Sequence, residues 1–130
     1  MVRRDPVEPL KGLYLEAANK DVSNLERLIL DVTEDPAHWA AARRDMRRVT
    51  HDVMGQGAAF GYPLMTRVGQ SLSHLLKVRE GLDDAVLELA RDHISALRSA
   101  LERSADHSEA GAGNTLAAGL EARVAILVDE

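Results

Sequence analysis

Apolar residues recur at steps of three and four along most of the chain, the period of a helix with one buried face. In the first such segment Leu15, Ala18, Val22, Leu25, Ile29 and Val32 form one stripe, which stops near "TEDP". Asp35 followed by Pro36 reads as an N-cap with proline at the first helical position, opening a second helix over about 36–60. "GYP" breaks that helix, and Pro63 starts a third that runs to about Val78 with Leu64, Val68, Leu72, Leu75 and Leu76 inward. After a turn at "REG", a fourth helix over about 82–103 carries Leu82, Val86, Ala90, Ile94, Leu97 and Leu101. Short loops between long helices favour antiparallel neighbours, so the pattern predicts an all-α antiparallel up-down four-helix bundle over residues 1–103. Residues 104–114, "SADHSEAGAGN", are small, polar and glycine-containing and read as a flexible linker. "TLAAGLEARVAILV" follows as a short C-terminal helix within 115–130 that packs on the bundle or on a partner.

Composition agrees with helices rather than sheets. At 130 residues the chain has the length of one domain with one core. Aromatic residues are scarce (one Trp, one Phe, two Tyr), so Ala and Leu must fill that core. The net charge of −5 argues against a general nucleic-acid binder. The chain has no cysteine, which excludes disulfides, thiolate-bound zinc and a thiol nucleophile. The start, "MVRRDPVEPLKG", lacks the apolar run of a signal peptide, and no later run has a membrane-spanning length, so a cytoplasmic monomer without membrane contact is expected.

The second helix holds the candidate chemistry. Stepping 100° per residue from Val53 puts Ala42, Met46, Val49, Gly57 and Phe60 within about 40° of it, as the core stripe. His51 lies about 160° away on the opposite face, with Arg44, Arg47, Arg48, Gly55 and Ala58 as its neighbours one or two turns off. The two glycines therefore have different reasons. Gly57 faces inward, where a missing side chain lets another helix approach. Gly55 faces outward, where glycine costs ~1 kcal/mol relative to alanine and only an external partner would need the space. On this geometry alone His51 could equally be an ordinary solvent-facing histidine.

The stretch "HDVMGQGAAFGYP" resembles the phosphoacceptor motif of histidine-containing phosphotransfer (HPt) domains, in particular small stand-alone proteins of alphaproteobacterial type. That motif is roughly H-x-[LV]-K-G, then small residues, then an aromatic or leucine and a glycine. His51, Val53, Gly55, Ala58, Phe60 and Gly61 fit it, and the order and lengths of the helices agree over about 13–103. The resemblance implies that His51 takes a phosphoryl group from the aspartate of a receiver domain, in a response regulator or hybrid histidine kinase, and hands it to another. Neutral imidazole is a competent nucleophile, and the in-line displacement depends mostly on positioning and charge neutralisation. It implies no cofactor on this chain, the Mg2+ belonging to the receiver. Arg44, Arg47, Arg48, Met54, Gly55 and Ala58 would meet the docked receiver, with the arginines facing the acidic rim of its pocket. In one respect this sequence departs from the motif: the family has lysine three residues after the histidine, and here Met54 stands there. A thioether supplies no charge to a phosphoryl group. Arg47 and Arg48, one turn earlier, are placed to compensate. Failing that, the chain would bind receivers as a scaffold without relaying phosphate.

The remaining features point to structure. His93 falls on the apolar side of the fourth helix and is expected to be buried and hydrogen-bonded. His74 should be exposed, while His38 lies in the first turn of the second helix and His107 in the linker. Glu-x-x-His and His-x3-His ligand spacings, phosphate-binding loops and the G-x-S-x-G elbow do not occur, and "GAGN" is too short and poorly placed for a dinucleotide loop. "ARRDMRR" (42–48) reads as a solvated docking face rather than a nucleic-acid contact, because Met46 points inward and Asp45 interrupts the charge. A generic helical adaptor unrelated to phosphotransfer is the third possibility.

Overall fold

A computed structural model of the chain describes the backbone of residues 7–106 and 110–129, and the side chains of 12–102 and 113–129. These residues form five α-helices and no strand: α1 (Val7–Glu34), α2 (Trp39–Phe60), α3 (Pro63–Val78), α4 (Asp84–Asp106) and α5 (Ala110–Val128). None is long and apolar enough to cross a membrane. The helix periods read from the sequence survive nearly unchanged, and the differences fall at the ends.

Asp35 caps as expected, its carboxylate accepting from the Ala37 N–H at 3.1 Å. The turn it opens is 3-10 (Pro36–His38), and the α-helix begins only at Trp39. Trp39 is buried and its indole N–H donates to the Glu80 carbonyl at 2.8 Å, which ties the start of α2 to the loop after α3. At the start of α4, the Asp83 carboxylate accepts from the Val86 N–H at 2.9 Å, so the helix starts after Asp83 rather than at Leu82.

The first four helices close a ring: α1 packs on α2 and α4, and α3 packs on α2 and α4. The α2–α3 pair is antiparallel, with Arg43 near the start of α2 donating to the Leu76 carbonyl at 2.7 Å near the end of α3. Two residues connect these helices. Gly61 takes the left-handed conformation (φ 79°) that a side chain would strain, and the N–H groups of Gly61 and Tyr62 both return to the Gly57 carbonyl. Phe60, expected in the core stripe, is 38% exposed instead. It sits at the rim where α2 ends and stacks on Tyr14, while Tyr62 turns inward and covers Tyr14 from 4.5 Å. Burial pushes the Tyr14 hydroxyl up to about 12, with smaller contributions from Tyr62 and Asp21.

The linker and short terminal helix need correction. α5 begins at Ala110, so residues 110–114 are helical and the helix has 19 residues; His107 lies outside the described residues. Gly113, one of the small residues read as flexible, is a packing position. A Cβ on Gly113 would collide with the Leu64 side chain of α3, so glycine there lets the α5 backbone approach closely. From that contact Ala117, Leu120, Val124 and Leu127 continue the buried stripe of α5 along α3 and α4. Arg67 makes a two-pronged pair with Glu121, Arg123 pairs with Asp92 at 2.8 Å, and Arg79 donates to the Leu127 carbonyl at 2.9 Å.

Candidate functional site

The outer face of α2 is open. Arg44, Arg47, Arg48, His51, Gly55 and Ala58 are all exposed, as the helical projection requires, while Ala42, Met46, Val49, Val53 and Gly57 are buried beneath them. α5 makes no contact with α1 or α2 among the described residues and leaves this face uncovered.

The glycines behave as their positions demand. A Cβ on Gly57 would lie 2.8 Å from the Thr66 hydroxyl, 3.2 Å from the Met65 Cβ and 3.3 Å from the Thr66 backbone nitrogen, so α3 occupies that space. A Cβ on Gly55 would meet nothing within 4 Å. No internal contact therefore explains Gly55.

Met54 is the residue whose setting differs most from expectation. It is half-buried, and a Cβ placed on Gly69 of α3 would come within 2.7 Å of the Met54 Cγ. The thioether side chain thus lies across α3 in a notch that Gly69 leaves open, with its backbone carbonyl accepting from Thr66 at 3.4 Å. It acts mainly as packing between α2 and α3 and contributes only part of its surface to the outer face.

Around His51 the charge is divided. Toward the start of α2 a hollow of about 650 Å³ is lined by His51, Asp52, Arg43, Arg44, Arg47 and Arg48, with Ser73 and Glu80 closing it from the α3 side. Arg43 is committed to the Leu76 and Lys77 carbonyls, and Arg48 lies 3.5 Å from Asp45. Arg44 and Arg47 have no hydrogen-bond or ion-pair partner among the described residues. On the α1 side the sign reverses. There Asp21 has its carboxyl pushed up by burial first and by the nearby Asp52 second, with Lys20 opposing.

This arrangement can hold an anion against an accessible imidazole. Ser73, Arg43 and Glu80 were not singled out in the sequence because their share in the hollow depends on how α2 and α3 are aligned. Comparison with family models, with curated proteins and with solved structures gives no match.

The other histidines sort by burial. His38 is exposed in the 3-10 turn, 3.6 Å from Asp35, and His74 is exposed on α3. His93 is fully buried: Nδ1 is 2.7 Å from the Leu89 carbonyl and Nε2 is 2.8 Å from the Ser71 hydroxyl. A carbonyl can only accept, so Nδ1 carries the proton, and Nε2 accepts from Ser71. Burial pushes the His93 imidazole below its ordinary pKa; the Leu89 hydrogen bond opposes this, Arg123 adds to it and Asp92 counters it. A neutral ring with both nitrogens satisfied is a structural histidine.

Proposed function

We propose that the chain is a phosphocarrier in which α1–α4 form an antiparallel up-down four-helix bundle and His51 is the phosphoacceptor. The observation that carries this reading is the outer face of α2, where an exposed imidazole stands between two unpartnered arginines and an unexplained glycine. The likeness of "HDVMGQGAAFGYP" to the HPt motif supports it, and so do the helix order and the closed ring of contacts. The donor and acceptor are receiver domains of response regulators or hybrid histidine kinases, met in the cytoplasm. A ring nitrogen of His51 attacks the phosphorus of the receiver's aspartyl phosphate. The nitrogen–phosphorus bond forms as the oxygen–phosphorus bond breaks, and the aspartate leaves as carboxylate. Gly55 gives the receiver's loops room to reach the ring. Arg44, Arg47 and Arg48 complement its acidic rim.

A second reading, a scaffold that binds receivers without taking phosphate, is favoured by Met54, because the position of the motif's lysine is given to packing on Gly69. Incubation with a panel of phosphorylated receivers separates the two. A carrier acquires acid-labile phosphate from at least one of them. A scaffold binds receivers and acquires none.

A further inference from the structure

The hollow beside His51 extends to one side of it only. Four arginines, Ser73 and two carboxylates, Asp52 and Glu80, line it, so the arginines outnumber the acids; Met54, Gly55 and Ala58 take no part in its wall. Side chains on a helix lean toward its N-terminus, so the imidazole overhangs the turn that carries Arg47 and Arg48. An anion bonded to the ring therefore lies over that turn, inside the hollow, and away from Met54.

The arginines are not equivalent there. Arg43 is held by two carbonyls at the end of α3. Arg44 is seven residues from His51, about 10 Å along the helix axis. Arg48 shares its guanidinium with Asp45, which reduces the charge it offers to an anion. Arg47 is four residues before His51, at the spacing where helix side chains meet, on the α3 side of the ring and without a partner.

We infer that Arg47 binds the phosphoryl group on His51 and neutralises its developing charge, the task that the motif gives to a lysine at position 54. The inference rests on the reading of His51 as phosphoacceptor. A planar guanidinium offers two parallel donors to phosphate oxygens, which suits it to this task from one turn away.

The test uses the full chain and potassium phosphoramidate, a small donor that needs no protein docking. A ring nitrogen attacks phosphorus, the phosphorus–nitrogen bond breaks and ammonia leaves. Phosphohistidine is followed by intact mass and phosphorus NMR. Arg47→Gln is expected to be about tenfold slower than wild type, with Arg44→Gln and Arg48→Gln within about twofold. Arg47→Lys should keep most of the wild-type rate, because it retains the charge at the same place on the helix. Labelling of Arg47→Gln at the wild-type rate, or equal slowing in Arg48→Gln, overturns the assignment to Arg47 while leaving His51 as acceptor. Absence of label on His51 in the wild-type chain overturns the phosphoacceptor reading and this inference with it.

Discussion

At the scale of single residues, the account depends on side chains that look alike in the sequence and differ in their surroundings. Gly55 and Gly57 are two positions apart, and alanine should have opposite effects at them. Gly57→Ala forces Thr66 and Met65 apart and should cost about 1–3 kcal/mol. Gly55→Ala fills open space within the helix and should stabilise by up to about 1 kcal/mol. Thermal unfolding of the two variants checks the pair, and equal shifts would contradict the inward and outward assignment. The helical projection was enough to separate these glycines. It could not reveal that Met54 rests on Gly69, because that contact depends on the register between α2 and α3. His93 leads to a prediction in pH. Its pKa is depressed in the fold, so the unfolded chain binds more protons as pH falls, and the stabilising contribution is complete only above the unfolded value of about 6.5. Stability should therefore fall as pH drops below that value toward the folded pKa. His93→Gln should show a flatter decline in melting temperature between pH 7 and 5, and an unchanged slope would shift the effect to other groups.

At the scale of elements, what was legible and what was not divides along a physical line. α1 and α3 carry strict apolar periods with clear breakers, "TEDP" and "GYP", and their cores follow from the sequence. The start of α5 is hidden in the sequence because Gly113 lacks the bulk that marks a buried face; its burial comes from Leu64 reaching across from α3. The start of α4 was visible in principle, since Asp83 stands three residues before Val86 in a capping arrangement. The stripe of Ala117, Leu120, Val124 and Leu127 anchors α5, and its ion pairs lie at the half-exposed rim. Apolar burial in the interior outweighs such rim pairs. Leu120→Ala should destabilise the chain by about 2–5 kcal/mol, and Glu121→Gln should have a much smaller effect on chemical denaturation. A larger loss from Glu121→Gln would mean that charge, not packing, docks this helix.

At the scale of the whole molecule, an acidic chain presents one arginine-rich face, and its terminal helix is stowed on the far pair of helices, α3 and α4. Within the ring of four helices α2 packs on α1 and α3, and its outer side, with His51 and Arg47, is exposed. The fold thus separates two regions: the interior, including His93 and the buried part of Met54, holds the helices in register, and the outer face of α2 carries the residues to which the proposed function assigns the chemistry. The central claim is that His51 receives the phosphoryl group. Its most direct test is peptide mapping of the full chain after exposure to a phosphorylated receiver domain, under conditions that preserve phosphohistidine. The account predicts acid-labile phosphate on the peptide containing His51 and its loss in His51→Gln, with the variant's melting temperature unchanged. Equal labelling of His51→Gln, or no label on the wild-type chain from any receiver, would contradict it.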